Sequence, residues 1–188
     1  MRKTLSILLL LTIISCSKST DNSIDSNGIS NELHLSFATP DWNRTINCEK
    51  LNLFPDILND STNYVSGTSA STSETFCFSL PADSSQMSKT TNLKKYAIKN
   101  YFENNAPFQF SQKLPLNSGS SLRLVSIDSL SSYSYNQVTE INYVGFEPTY
   151  CLFNVKCKYI MLAKEVGNDT NIKPITGTFH FKVRTSRK

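Results

Sequence analysis

The chain has 188 residues and a formal charge of +4, and 39% of its residues are hydrophobic. That is enough apolar material for one domain of ordinary size with its own core. Removing Arg2 and Lys3 leaves 17 of the 19 basic residues against 15 acidic ones, a charge near +2. So small a charge excludes a nucleic-acid-binding footprint, and the one loose basic cluster is interpreted as a solvated face. That cluster consists of Lys89, Lys94, Lys95 and Lys99.

The first sixteen residues have the anatomy of an export signal. Arg2 and Lys3 supply the positive start, residues 5–14 form an apolar run, and the small residue Ser15 precedes Cys16. The run is too short for a transmembrane helix, which needs about 20 apolar residues. Its last part, Ile13-Ile14-Ser15-Cys16, resembles the lipobox of bacterial lipoproteins.

This resemblance implies that residues 1–15 are a signal peptide and that Cys16 becomes the first mature residue, carrying a diacylglycerol and an N-acyl chain. Three chains would hold the protein on a membrane essentially permanently, because one chain alone binds only marginally. Ser17 stands where inner-membrane lipoproteins often carry Asp, so the resemblance favours the outer membrane, with a periplasmic or a surface-facing domain. An ordinary secretory signal cleaved near Ser15 is the alternative.

Residues 16–31 are predicted to be the acylated cysteine and a flexible polar tether, because they contain almost no large apolar side chains. A tether of this length holds the domain about 20 Å from the membrane. Asp25-Ser26-Asn27-Gly28 contains residue types found in calcium loops. It lacks the spacing and the terminal glutamate of an EF-hand, so a simple turn is predicted there.

Residues 32–188 are predicted to form a single β-rich domain, since apolar and polar residues alternate along most of this range. The clearest strands are residues 150–163 and 175–184, and the turn residues Gly167-Asn168-Asp169 predict that they form an antiparallel hairpin. Further strands are predicted at residues 32–37, 75–80 and 121–127, with shorter ones at residues 50–54, 63–68, 108–111 and 138–144.

Residues 92–104 interrupt the alternation. Leu93, Ala97, Ile98, Tyr101 and Phe102 recur at helical spacing, after Thr90 or Thr91 as an N-cap and before Pro107. The spacing predicts one amphipathic helix packed across one end of the β-structure. Residues 96–101 also suit a strand.

Four cysteines follow the signal: Cys48, Cys77, Cys151 and Cys157. An even number in an exported chain predicts disulfides. If residues 150–163 are one straight strand, Cys151 and Cys157 lie about 20 Å apart, whereas bridged Cα atoms lie within about 7 Å. Two connectivities remain, Cys48 with Cys151 and Cys77 with Cys157, or Cys48 with Cys157 and Cys77 with Cys151. A single bridge between Cys48 and Cys77, with two buried thiols, is the other alternative.

No motif for catalysis, metal or cofactor binding is recognised. His34 and His180 alternate with core residues, so both are predicted on the solvated side of their strands. If the first and last strands paired, the two rings would approach each other as half of a metal site. The chain has no Gly-x-Ser-x-Gly elbow, no Gly-rich phosphate loop and no Cys-x-x-Cys pair. We therefore expect no catalytic residues, no metal site and no cofactor.

Two features point to carbohydrate. Asp60-Ser61-Thr62 and Asp128-Ser129-Leu130 resemble a bacterial O-glycosylation acceptor, which makes Ser61 and Ser129 candidate modification sites. Tyr133 and Tyr135, together with Trp42, are candidate aromatic platforms for a sugar or another ligand, with edge-strand packing as the plainer explanation.

The final strand, Ile175 to Phe181, is similar to that of small β-rich lipoproteins of the Bacteroidota type, which have lipocalin-like or sandwich domains. The lipocalin Gly-x-Trp motif is missing, because Pro40-Asp41 precede Trp42. The expected fold is all-β, an antiparallel β-sandwich or a lipocalin-like barrel, with at most one short helix. The expected function is a non-enzymatic binding or interaction module with a protein or glycan partner in the cell envelope. The alternatives are a carrier of a small apolar ligand and a glycan-active hydrolase, whose paired carboxylates need not be close in sequence.

Overall fold

The computed structural model describes residues 24–187 of the chain. Within them eleven strands form one antiparallel sheet, and helix is limited to one α-helical turn and one 3₁₀ turn. The prediction of an all-β domain is confirmed. The strands are β1 His34–Ala38, β2 Asn43–Asn47, β3 Asp56–Asn59, β4 Thr62–Thr68, β5 Thr75–Pro81, β6 Lys95–Tyr96, β7 Phe110–Pro115, β8 Arg123–Ser126, β9 Tyr135–Phe146, β10 Tyr150–Glu165 and β11 Asn168–Ser186; the helical turns are α1 Ser84–Met87 and the 3₁₀ turn Thr90–Asn92.

The hairpin of β10 and β11 is the centre of the sheet, and its predicted pairing is confirmed from Tyr150 opposite Ser186 to Lys164 opposite Ile172. Beyond β11 lie β1 and β2. On its other edge β10 pairs with β9 and, near its end, with β8, which leads through β7, β5 and β4 to β3. The sheet is not closed into a barrel, so the lipocalin-like alternative is wrong. Instead rings on β5 and β7 contact a ring on β11, so two halves of the sheet face each other as in a sandwich.

An aromatic cluster fills the space between the two halves. The ring of Phe179 on β11 lies 5.1 Å from Phe78 on β5, 5.0 Å from Phe110 on β7 and 4.5 Å from Phe181, measured between centroids. All four rings are buried. Burying one such side chain contributes about 1.5–3 kcal/mol. These rings therefore hold the halves together, and they occupy the interior that a carrier of apolar ligands would need.

Gly177 allows the closest approach between strands. Tyr159 of β10 lies across it, and its hydroxyl oxygen lies 3.0 Å from both the backbone oxygen of Ser36 and Gln112 Oε1, two acceptors that share its one proton. A Cβ atom on Gly177 would lie 2.2 Å from the Ser36 oxygen and 2.4 Å from the Tyr159 ring. Only glycine fits there.

The helix predicted at residues 92–104 is not formed. The segment contains part of the 3₁₀ turn and strand β6, and the buried Ile98 exchanges two backbone hydrogen bonds with Ser129. Leu93 and Phe102, expected on the apolar face of the helix, are exposed. Pairing with neighbouring strands thus outweighs helical spacing, which is a weak preference. Residues 50–54 also form no strand, whereas the short edge strand β2 was not predicted.

Residues 24–31 pack on the domain, which shortens the predicted tether at its C-terminal end. Ile29 is fully buried, and Asp25 pairs with Lys156 of β10 at 3.1 Å. The predicted turn is present, since the Gly28 N–H donates to the Asp25 oxygen and Gly28 has a φ of +78°. Cys16, the predicted signal peptide and residues 16–23 lie outside the described residues. No helix among residues 24–187 is long and apolar enough to cross a membrane.

Candidate functional site

A groove with a volume of about 610 Å³ lies on the described surface. It lies between the segment that joins β5 to β6 and the loop that precedes β7. Its floor is aromatic, its walls carry amide side chains, and its rim carries two lysines and a leucine. The floor consists of Tyr96 and Phe108, the walls carry Gln86, Asn92 and Gln109, and the rim carries Lys94, Lys95 and Leu130.

The floor of the groove is held by ring packing. The rings of Tyr96 and Phe108 lie 5.0 Å apart, and Phe108 is buried. The Tyr96 hydroxyl donates to the backbone oxygen of Asn92 at 3.1 Å. Burial raises the pKa of Tyr96 to about 12, so its hydroxyl stays neutral over the physiological range.

One wall of the groove is fixed by a buried polar network. Gln109 Oε1 accepts from the backbone N–H groups of Asn105 and Ala106 at 2.8 and 3.0 Å. Asn104 Nδ2 donates to the backbone oxygen of Gln109 at 2.8 Å. Ser79 Oγ donates to the backbone oxygen of Ala106 at 2.6 Å. These bonds make the wall rigid before any ligand arrives.

The rim of the groove is positively charged. Lys94 and Lys95 are exposed, and their Nζ atoms lie 5.4 Å and 3.8 Å from the ring centroids of Tyr96 and Tyr135. None of the residues that line the groove is acidic. The basic cluster of the sequence is therefore divided, because Lys99 instead pairs with Asp128. Two of its lysines keep ammonium charges that no lining carboxylate balances.

The aromatic residues proposed as platforms do not form one site. Tyr135 lies beside the groove under Lys95, and Tyr133 is 76% exposed nearby in sequence. Trp42 is half-buried elsewhere, with its ring edge-on to Phe37 at 4.9 Å.

Both candidate O-glycosylation sites are close to the groove. Ser61 is exposed and belongs to its lining. Ser129 is half-buried, and the next residue, Leu130, also lines the groove. The sequence did not indicate that these two distant motifs lie at the same groove.

The predicted disulfides are not formed, and all four cysteines of the described chain are free thiols. Cys77 lies on the opposite face of β5 from Phe76 and Phe78 and is nonetheless buried, because that strand is covered on both sides. Cys157 points inward from β10, where it accepts a weak hydrogen bond from Asn136 Nδ2 at 3.8 Å. Cys77 and Cys157 thus lie in different layers. Cys151 and Cys157 share one strand, as predicted.

The two histidines are buried, so their predicted exposure is wrong. Strands β1 and β11 do pair, and they place His34 directly opposite His180, each only 5% exposed. The register continues across the sheet to Lys156 and Glu140. We call His34, His180, Lys156 and Glu140 the polar row.

Hydrogen bonds fix the state of His34. Its Nδ1 lies 2.8 Å from the backbone oxygen of Glu32, which only accepts, so Nδ1 carries the proton. Its Nε2 lies 2.8 Å from Thr178 Oγ1, which donates to it when the ring is neutral. This hydroxyl and imidazole resemble a nucleophile and its base, but neither residue lines the groove described above. Residues 24–187 contain no group of three potential metal ligands.

The chain matches no protein-family model, no curated protein and no solved structure. Sequence reasoning found Lys94 and Lys95 but not their role, and it missed Tyr96, Gln109 and Lys156. The only sequence signal for Lys156 is its alternation with Val155 and Cys157, which places it on the polar face of β10.

Proposed function

We propose that the protein is a lipid-anchored lipoprotein of the outer membrane that binds an acidic glycan in the groove and catalyses no reaction. The observation that carries this proposal is the chemistry of the groove, which combines two unbalanced lysines, amide walls and an aromatic floor. The lipobox-like sequence at Cys16 supports the anchor, because it stands directly after a short apolar run.

Each part of the groove suits one property of an acidic sugar chain. The ammonium groups of Lys94 and Lys95 favour a carboxylate, since a charge-assisted hydrogen bond is about twice as strong as a neutral one. Asn92 Nδ2 already donates to the backbone oxygens of Gln86 and Met87, and Gln86 Oε1 accepts from Lys89. Asn92 Oδ1 therefore offers an acceptor, and Gln86 Nε2 offers donors, for the hydroxyl groups of a sugar. The ring of Tyr96 offers an apolar surface, and the volume of about 610 Å³ accommodates a short oligosaccharide.

The two alternative functions receive less support from the same features. A carrier needs an apolar interior, which Phe179 and its neighbours fill. A glycoside hydrolase needs two carboxylates that flank the bond it cleaves, and the lining of the groove supplies none.

Calorimetric titration with trigalacturonate, and with maltotriose as the neutral counterpart, tests the binding proposal. We expect the acidic trisaccharide to bind, with an affinity that falls as salt rises. Replacing Lys94 and Lys95 by Gln should weaken binding at least tenfold, or about 1.4 kcal/mol. A variant with Lys50→Gln and Lys164→Gln loses the same charge away from the groove and should bind normally.

Three outcomes contradict this assignment. Equal binding of maltotriose would remove the role of charge, and binding of an acidic peptide in preference to the glycan would change the class of ligand. Release of shorter sugars during the titration would show an enzyme.

The anchor is tested separately by metabolic labelling with a palmitate analogue. Replacing Cys16 by Ala should abolish labelling and release the protein from membranes. Unchanged labelling of that variant would disprove the anchor without affecting the groove.

A further inference from the structure

Residues 24–32 lie across the outer face of the central strands, and we call them the N-terminal clasp. Alternation turns the polar row away from the aromatic core, so its side chains would meet solvent if nothing covered them. His34, His180 and Lys156 are nevertheless only 4–5% exposed. The clasp provides the cover.

The clasp is held by an apolar anchor and by polar contacts, which include the bond from His34 Nδ1 to the Glu32 backbone oxygen at 2.8 Å. Ile29 is its apolar anchor and is fully buried. Lys156 Nζ donates to Asn31 Oδ1 at 2.6 Å and forms an ion pair with Asp25 at 3.1 Å. The same Nζ lies 3.5 Å from Oε2 of Glu140 on β9. A segment with one buried apolar side chain and a handful of polar contacts opens at far lower cost than the core of the domain.

His180 is the one member of the polar row that its surroundings leave unsatisfied. Both of its ring nitrogens are buried, and neither makes a hydrogen bond of ordinary geometry. Burial lowers the pKa of His180, and the charge of Lys156 and the neighbouring His34 lower it further, whereas the backbone of Glu32 and Asn31 opposes the shift. The charged and titratable groups around it are His34 on β1; Lys182 on β11; Lys156 and Lys158 on β10; Glu140 on β9; and Asp25 and Glu32 in the clasp.

We propose that the clasp is a proton-released cover, which lies on the polar row at neutral pH and leaves it in mildly acidic medium as His180 takes up a proton. With the clasp open, His180 meets water and titrates near its ordinary pKa of about 6.5. With the clasp closed, its pKa is lower. The closed state therefore loses stability as the pH falls below about 6.5, by at most tenfold in the opening constant per pH unit, because one proton is taken up.

Opening would lengthen the connection between the domain and the membrane, and this consequence rests on the proposed anchor at Cys16. In the closed state the connection extends nine residues, from Cys16 to Asp25; in the open state it extends seventeen, to Leu33. At about 3.4 Å per residue its maximum reach grows from about 30 Å to about 58 Å. Acidification would thus let the groove reach ligands farther from the membrane.

Amide hydrogen exchange of the full chain in detergent, at pH 7.5, 6.5 and 5.5, tests the clasp. The protection factor of residues 24–32, corrected for the intrinsic exchange rate, should fall as the pH falls. A peptide from the core part of β11 should keep its protection. Protection of the clasp that does not change with pH would overturn the proposal.

Three variants identify the group responsible. His180→Gln cannot take up a proton and should show clasp protection that is independent of pH. His34→Gln keeps His180 and should retain the pH dependence, so the two histidines control for each other. Ile29→Asp should abolish clasp protection at every pH while the β11 peptide stays protected.

Two of these variants have a result that contradicts the proposal. If His180→Gln keeps the pH dependence of the natural chain, another group takes up the proton. If Ile29→Asp keeps full protection, the clasp is not held as described. None of these measurements depends on acylation of Cys16 or on a ligand in the groove.

Discussion

At its middle, around Phe179, His180 and Lys156, the central hairpin is buried on both faces, but for different physical reasons. On the inner face Phe179 and Phe181 pack against rings from the opposite half of the sheet. On the outer face the clasp covers His180 and Lys156. Burial of the inner face comes from apolar area, which stabilises in proportion to its size. Burial of the outer face depends on satisfying polar groups and so depends on solution conditions.

The strongest test of this difference removes an inner ring. We expect Phe179→Ala to lower the free energy of unfolding by about 3–5 kcal/mol, because it leaves a cavity among four packed rings. Thr176→Ala, on the exposed outer face three residues away, should change it by less than about 0.5 kcal/mol. Urea denaturation measures both. Similar values for the two variants would remove the distinction between the faces.

A second test adds an atom between the strands. Gly177→Ala should destabilise the domain by about 1–3 kcal/mol, because the new Cβ has no space beside the Ser36 oxygen and the Tyr159 ring. Thr176→Ala is the control on the adjacent residue, and the same denaturation experiment applies. A Gly177→Ala protein as stable as the natural chain would show that Tyr159 does not occupy this position.

The outer face should respond less to a change in the clasp. We expect Asp25→Asn to lower the global free energy of unfolding by about 1 kcal/mol or less, since the clasp opens before the domain unfolds. Burial acts to raise the pKa of Asp25, but hydrogen bonds from Ile29, Lys156 and Asn27 outweigh it and the pKa is lowered. Its contribution is therefore complete above its ordinary pKa of 3.8 and is lost as the pH falls further.

The measurement for Asp25 is clasp protection at pH 7.5 in the natural chain and in Asp25→Asn. Protection should fall in the variant, while its pH dependence between 7.5 and 5.5 persists because His180 is unchanged. A variant that unfolds globally would show that the clasp is part of the core.

The same comparison explains which features were predictable from the sequence. Alternation correctly assigned Phe179 to the inner face and His180 to the outer face, because the strand period depends only on local geometry. It did not reveal that His180 is buried, because its cover comes from residues about 150 positions earlier, within a segment whose composition resembles a tether.

The groove escaped sequence reasoning for a similar reason. Its lining comes from four separated parts of the chain, around Ser61, residues 81–97, residues 106–109 and Leu130. In the sequence Lys94 and Lys95 look like ordinary solvated surface residues. Their role at the groove is visible only in the structure, where Lys94 lies over the ring of Tyr96 and Lys95 over that of Tyr135. The helix predicted at residues 92–104 would not bring these side chains together, whereas the observed pairing of β6 with β9 does.

The test with the smallest expected effect compares two thiols on the inner face of β10, Cys157 at the middle of the strand and Cys151 at its end. Alkylation requires a thiolate, and burial raises the pKa of the Cys157 thiol. It also raises the pKa of Cys48 to about 11 and that of Cys77 to about 12. At pH 8 only on the order of one Cys48 thiol in a thousand is ionised. Cys151 alone among the four is half-buried rather than buried.

We therefore expect iodoacetamide at pH 8 to label Cys151 first in the folded domain, and to label Cys48, Cys77 and Cys157 only after denaturation. Peptide mapping without reduction, at several labelling times, measures the order, and fold and stability should not change on labelling of Cys151. Equal rates at all four thiols would mean that the inner face opens as readily as the outer one. A bridged pair of cysteine peptides would mean that strands whose thiols lie in separate layers rearrange on oxidation, because no two of these thiols are within bonding distance in the fold described.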